Sequence, residues 1–390
     1  MSDLRIGVVG AGARVGLVRH LAGAGGEVVA LADPDQSGVE RLAAQIGRTV
    51  PRFDSVAQLV TDGPHLDAAI VLTPDDTHEE VAVALLEAGV AVYLEKPIAI
   101  TTEGADRILQ VAHHTGAKLY VGHNMRHMPV IRQMKAIIDR GDIGEVKAVW
   151  CRHFVGDGGD YYFKDWHAER ARTTSLLLQK GAHDLDVIHW LAGGVARDVV
   201  GIGDLALYGD ITDRRDNSGR VMQDWYSLDN WPPSSQTELN PVVDVEDISM
   251  VMGRLDNGVL ISYQQCHFAP DYWRNYTVIG TEGRLENAGD GGGGEIRVWN
   301  RRTAYSERGD VQYPIEGADG GHGGADPLTV AEFCDFVRTG SPTDTSPVAA
   351  RDAVAAGVAG ATSLRTGSQP QHISPVPPDL ADYYAHHQQR

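Results

Sequence analysis

Residues 174–191, TSLLLQKGAHDLDVIHWL, place Gln179, Lys180, His183, Asp184 and Asp186 in a run whose leucines and Trp190 suit a buried helix. Buried polar groups without partners are costly, so their presence asks either for chemistry or for a bonding network. Lys180 reads as a cation that meets a substrate or as a surface lysine paired with Asp184 one turn on. Asp186 reads as a satisfier of buried donors and Trp190 as core packing. Gly181 in mid-helix costs about 1 kcal/mol relative to alanine, which points to close approach by a ligand or a neighbouring backbone.

A second concentration of chemistry lies in VGDGGDYYFKDWHAERARTT. Tyr161, Tyr162, Trp166 and His167 suit stacking on the ring of a small-molecule ligand, while Asp157, Asp160, Lys164, Arg170 and Arg172 suit its polar groups. Long loops of this kind on a rigid sheet are usual binding elements. His153, Asp157, Asp160 and His167 follow no metal-ligand spacing, and no metal is expected.

The elements that must hold these groups begin with LRIGVVG (4–10), a buried parallel strand by its unbroken apolar run. RVGLVRHLAGAGG follows as a helix and EVVALAD (27–33) as a second strand with Asp33 at its tip. This βαβ pattern is that of a dinucleotide site. Gly10 and Gly12 let the backbone approach a pyrophosphate, Ala13 and Val15 complete the turn, and Arg14 can reach a phosphate. The third glycine comes one residue late, at Gly16. Asp33 accepts from ribose hydroxyls and repels a 2′-phosphate, which favours NAD over NADP.

LDAAIVLTP, AVYLEKP and KLYVGHN continue as strands between helices, with a capping box read at Thr77 and Glu80. Strands alternating with helices give a doubly wound α/β sheet. Its strand ends carry Asp33, Thr73, Pro74, Glu95 to Pro97 and His123 to Arg126. PVIRQMKAIIDRG then reads as an amphipathic helix, and EVKAVWCRHF opens a sheet by its alternation. Residues 204–245 show little periodicity and read as an insertion. Asp256-Asn257-Gly258 marks a hairpin, with Tyr263, Gln265 and His267 sharing a face. NYTVIGTEGRLEN reads as another strand pair, DAVAAGVAGATSL as the closing helix, and the stretch from Ser368 as a tail draped on a surface.

LTPDDTH, YLEKP, VGHNMRHMP and GAHDLDVIHWL together resemble the glucose–fructose oxidoreductase/inositol dehydrogenase family (Gfo/Idh/MocA) over nearly the whole chain. The resemblance implies a Rossmann domain (1–125), an α+β substrate and oligomerisation domain with a large, mostly antiparallel sheet (126–367), and a tail (368–390). It implies a homodimer or homotetramer through that sheet. By position, Lys96 matches the catalytic lysine, with Glu95 and Pro97 shaping its turn. Thr73, Pro74 and His78 match the cofactor-side motif, with Asp75 where asparagine is usual. Asn124 and Arg126 match the segment near nicotinamide and substrate, and His183 the active-site histidine. The departure is Gln179, where the family usually has aspartate: glutamine can position a substrate but cannot relay a proton. His322 and Asp326 resemble a loop that approaches the substrate, though a structural turn reads nearly as well.

A lysine of pKa ~10.4 is a poor base at neutral pH. Burial and a nearby nicotinamide cation lower it into range, with His183 sharing the duty or orienting the same oxygen. The expectation is an NAD-dependent oxidoreductase acting on a sugar or sugar derivative. An NAD-dependent glycosidase working by transient oxidation, elimination and re-reduction is the alternative, and a non-catalytic sugar or NAD sensor the third reading.

A formal charge of −19 over 390 residues argues against nucleic acid or an anionic membrane as partner. Three scattered cysteines and no signal-like segment before LRIGVVG fit a reducing, cytoplasmic setting.

Overall fold

The computed structural model describes residues 3–317 and 321–389, with the side chains of 321 and 322 excepted. Two compact units divide the chain. The first comprises Met1–Asn124, Gly320–Val354 and Val376–Arg390, and the second Met125–Asp319 and Ala355–Pro375. The carboxyl-terminal third therefore contributes to both units.

Six strands form the sheet of the first unit: β1 (Leu4–Val9), β2 (Gly26–Ala32), β3 (Arg52–Phe53), β4 (Ala68–Val71), β5 (Ala91–Leu94) and β6 (Leu119–Val121). They lie in the order β3-β2-β1-β4-β5-β6, every neighbouring pair parallel. Continuous apolar runs suit strands covered on both faces, and β4 and β5 are buried throughout. This is the doubly wound α/β fold read from the sequence.

Four local readings change. The segment after β1 is two short 3-10 turns, Val15–His20 and Ala22–Ala24, where an α-helix was expected. Its three glycines, at 16, 23 and 25, weaken an α-helix there. The capping box at Thr77 does not form. Its hydroxyl instead lies 2.7 Å from both Pro74 O and Thr73 Oγ1, tightening a 3-10 turn at Asp75–Thr77 ahead of the helix His78–Glu87. The helix expected over 174–191 is broken into Leu176–Gln179 and Gly181–Ala192, with Lys180 at the break. The stretch from Ser368, expected to drape as a tail, instead forms a short strand at Gln371–His372 and a helix at Pro378–Ala385 with Leu380, Tyr383 and Tyr384 buried.

Nine strands form the sheet of the second unit: β7 (Val146–Phe154), β8 (Ala196–Asp204), β9 (Ile248–Leu255), β10 (Leu260–Cys266), β11 (Trp273–Gly280), β12 (Arg284–Ala288), β13 (Glu295–Trp299), β14 (Val311–Pro314) and β15 (Gln371–His372). Their order is β14-β13-β12-β11-β7-β10-β9-β8-β15, with only the β7–β10 pair parallel. The expected hairpin joins β9 and β10 through Gly258 at φ +86°. Alternation gives the sheet two unlike faces. Val149, Cys151, Val251, Ile261, Tyr263, Tyr276 and Val278 are buried on one, against the helix Gly181–Ala192. Residues 205–245 hold three short 3-10 turns and no strand, as their lack of periodicity implied.

Candidate active site

The residues expected from the sequence to hold a dinucleotide begin at the carboxyl ends of β1 and β2, in the first unit. Gly10 turns the chain at φ +83°, and a Cβ there would come within 2.9 Å of Thr73 Cγ2. A Cβ at Gly12 would meet nothing within 4 Å, so the loop backbone faces open space on that side. Asp33 is buried, and its carboxylate accepts from Ala11 N–H at 2.7 Å and Asp35 N–H at 2.8 Å. These bonds fix the acid at the lip of the turn, where Ala13 is exposed and Val15 packs inward.

Arg14 does not stand free in that loop. Its guanidinium donates to Glu95 Oε1 at 2.9 Å and to both Asp326 oxygens at 3.1 and 3.2 Å. Burial works against its charge, but Glu95 and Asp326 more than offset this and raise its pKa above the ordinary value. Asp326 also accepts from Asn124 Nδ2 at 3.0 Å, so Arg14, Glu95, Asn124 and Asp326 form one network. Asn124 is 2% exposed, and its Oδ1 has no hydrogen-bond partner among the described residues. That buried acceptor and the open face of Gly12 fit a dinucleotide bound at this edge of the sheet. The side chain of His322 lies outside the described residues.

Lys96 follows β5 and is half-buried, preceding a cis peptide to Pro97. Glu95, nearly buried, accepts from Lys96 N–H at 3.1 Å. His78, fully buried, places its ring nitrogens 2.6 Å from Pro97 O and 3.0 Å from Thr73 O. It thereby ties the turn after β4, which carries Thr73, Pro74 and buried Asp75, to the lysine turn. Whichever nitrogen bears the proton is the donor.

In the second unit, the Ser175 hydroxyl caps Leu176–Gln179 by accepting from Leu178 N–H at 3.1 Å. Gln179 and His183 are 5% and 4% exposed. Gly181 begins the next helix, where a Cβ would lie 3.0 Å from Tyr263 Cε1. The close neighbour inferred from this glycine is thus an aromatic ring.

Asp184, with no exposed surface, is not the partner of Lys180. It accepts from Arg274 Nε at 3.1 Å and from the hydroxyls of Tyr263 (3.0 Å) and Tyr276, and lies 3.0 Å from His153 Nδ1. Burial alone would raise its pKa, yet Arg274, His153 and the hydroxyl donors hold the carboxyl well below the usual range. Asp186 takes two bonds from Arg126, at 2.8 and 2.7 Å. This engages the Arg126 guanidinium, which the family resemblance places near nicotinamide and substrate. Arg126 also lies 5.4 Å from the Trp190 ring centroid.

Lys180 lies between one ring of the aromatic loop and one from the segment just before β11. Its Nζ stands 5.6 Å from the Tyr162 ring centroid and 5.5 Å from that of Tyr272. Tyr161 is 37% exposed, with its ring centroid 5.7 Å from that of Tyr226 in the insertion. Trp166 stacks on His167 at 3.7 Å, and His167 Nδ1 lies 2.6 Å from Asp165 Oδ1. Lys164 is 3% exposed and pairs with Asp160 at 3.3 Å, a buried pair within the loop. Sequence reasoning missed Arg274 and Tyr276. Their alternation with Val278 on β11 was the available signal, but it pointed to an inner face and not to a charge partner.

Residues 4–123 match the family model described as an oxidoreductase family with an NAD-binding Rossmann fold, and residues 131–286 match the GFO/IDH/MocA C-terminal domain. The chain belongs to the Gfo/Idh/MocA family of oxidoreductases, and its first domain is an NAD-binding Rossmann domain. Among its relatives, YteT of Bacillus subtilis is 27% identical over 346 residues, covering 77% of this chain and 78% of YteT. An inositol 2-dehydrogenase of Ralstonia nicotianae is 33% identical over 197 residues, 49% of this chain and 55% of the relative, so that match spans about half of each protein. Levoglucosan dehydrogenase, solved with NADH and L-sorbose, shares the fold at TM-score 0.76 and 17% identity, over 96% of this chain and 100% of that one.

Proposed function

We propose that this protein transfers a hydride between NAD and a hydroxyl or carbonyl carbon of a sugar or sugar derivative, with Lys96 and His183 as its acid/base groups. The observation that carries the reading is the position of Lys96. It follows β5, an interior strand of the NAD-binding sheet, in a turn braced by His78 and Glu95. A positioned amine is what alcohol oxidation needs. In the oxidative direction the hydroxyl proton passes to Lys96 Nζ as the carbonyl forms, and bound NAD supplies the hydride acceptor. His183, buried in the second unit, is the second acid/base group of this reading. Gln179 takes no proton and acts by hydrogen bonding.

Gly10, Gly12, Ala13, Arg14, Val15 and Asp33 hold the dinucleotide in this reading, with Thr73, Pro74, Asp75, His78, Glu95 and Asn124 along its path. Asp33 supports NAD as the preferred form, since its carboxylate repels a 2′-phosphate. The substrate contacts are Tyr161, Tyr162, Trp166, His167, Gln179 and Lys180; Arg126 and Lys164 act through the ion pairs that hold them. The related inositol 2-dehydrogenases support a polyhydroxylated substrate.

We also infer that a second copy of the chain packs on the outer face of the larger sheet. Trp150, Ile202, Met250, Met252 and Leu260 are each at least 44% exposed there, on adjacent strands. Light scattering that returns a monomer at micromolar concentration would exclude this.

The test of the reaction is Lys96→Ala. NADH formation from a panel of sugars and cyclitols should vanish in the variant, while NADH still binds by fluorescence titration. An undiminished rate would refute the assignment. The glycosidase alternative, favoured by the amide at Gln179, predicts sugar release from glycosides without net NADH.

A further inference from the structure

Lys180 is a proposed substrate contact to which the hydride and proton transfers assign no role of its own. It sits at the break between two helices, half-buried, with its Nζ between the rings of Tyr162 and Tyr272 at 5.6 and 5.5 Å. Among the described residues it has no carboxylate partner, although the chain holds 53 acidic against 34 basic residues. Its neighbour Gln179 is neutral, and the acid one turn on, Asp184, is committed to Arg274, His153, Tyr263 and Tyr276.

The surroundings leave this charge uncompensated. Burial, with Lys180 among the nearby cations, pushes His153 down to about 3 and His267 well below its ordinary value, so both rings are neutral at pH 7. His153 Nε2 is buried and has no hydrogen-bond partner among the described residues. The His153 ring stands edge-on to Tyr272 at 5.4 Å, the same ring that faces Lys180. Tyrosine faces attract an ammonium but do not neutralise it. Arg274 adds no net charge, because Asp184 cancels it.

We propose that Lys180 is the specificity residue for an acidic sugar, and that it receives a carboxylate carried by the substrate. This rests on the reading of the protein as a sugar oxidoreductase and narrows the substrate to a uronic or aldonic acid. One unmatched positive charge suits a monoanion. A phosphate dianion would be left half-compensated in a partly desolvated site, where unpaired charge is costly.

The probes are D-glucuronate, D-galacturonate and D-gluconate, set against D-glucose, D-galactose and D-glucitol, with D-glucose 6-phosphate as the dianion. Binding to the NADH-loaded protein is read by calorimetry, and NADH formation is read separately with NAD. The wild type should bind at least one acid about tenfold or more tightly than its neutral counterpart, the size of a charge-assisted bond. Lys180→Met should bring that ratio close to one, and Lys180→Arg should keep most of it. Unchanged thermal midpoints exclude misfolding as the cause.

A wild type that binds none of the acids, or prefers the neutral sugars or the phosphate ester, overturns the inference. So does a Lys180→Met variant that keeps the acid preference or weakens NADH alone. Turnover confined to neutral sugars would end this inference and leave the oxidoreductase reading standing. Acid binding lost in Lys180→Met, with no NADH from any sugar, would do the reverse.

Discussion

Arg126 and Asp186 meet through two parallel bonds, Nε to Oδ2 at 2.8 Å and Nη2 to Oδ1 at 2.7 Å, with side chains only 9% and 2% exposed. The fork of the guanidinium matches the carboxylate and ties the 3-10 turn Asn124–His127 to the helix that carries His183.

Removing one partner strands the other charge. Asp186→Asn should therefore cost about 3–5 kcal/mol of stability, the usual penalty for breaking a buried pair. Urea denaturation measures it, and a loss under about 1 kcal/mol would show that the pair is solvated in solution.

Gly181→Ala pits two effects against each other. Alanine gains up to about 1 kcal/mol in helix propensity, while a Cβ 3.0 Å from Tyr263 Cε1 overpacks a ring with no exposed surface. Tyr263 cannot retreat cheaply, because its hydroxyl bonds Asp184 and Gln265, each at 3.0 Å. Overpacking costs about 1–3 kcal/mol and should win. The thermal midpoint should fall, and a rise would mean that the ring yields.

Asp33 is expected to set the choice of dinucleotide. Asp33→Ser removes the charge that repels a 2′-phosphate, so the ratio of NAD to NADP affinity should fall about tenfold or more. Fluorescence titration with NADH and NADPH gives that ratio directly, and an unaltered ratio would place the discrimination elsewhere. The same variant should loosen the loop, since Ala11 N–H loses an acceptor at 2.7 Å.

His189 gives stability a pH dependence of known sign. Burial, aided by Arg126 and opposed by Asp186, pushes it down to about 4 from 6.5. Its Nε2 accepts from Ala196 N–H at 3.2 Å, a bond available only to the unprotonated nitrogen. The unfolded chain therefore binds the proton first as pH falls. The contribution of His189 is complete above pH 6.5 and declines by about 1.4 kcal/mol per pH unit down to about pH 4. Chemical denaturation across that window should show a shallower slope in His189→Gln than in the wild type.

Much of the fold was legible because its signals are local. LRIGVVG and LDAAIVLTP are continuous apolar runs, and Asp256-Asn257-Gly258 names its own turn. The lysine turn was legible through resemblance, and the structure adds the brace from His78. Bonds between distant segments were not legible. Asp184 and Arg274 lie 90 positions apart, and nothing near either residue in sequence announces the other. The broken helix at Lys180 was hidden for a related reason: the apolar period runs through the break, while the pressure at Gly181 comes from Tyr263 on a strand of the second sheet.

Gln388 shows what it means for the first unit to include the segment from Val376. Its side-chain amide accepts from Leu119 N–H at 2.8 Å and donates to Leu119 O at 2.7 Å, acting as one residue of an extra strand along β6. The Tyr384 hydroxyl holds the same segment by donating to Leu109 O at 2.9 Å. During synthesis β6 leaves the ribosome 269 positions before the group that closes its edge. For that interval the nascent Rossmann sheet has an open margin that can pair with another chain. Truncation before Val376 would make that margin permanent, with self-association in the cell as the consequence.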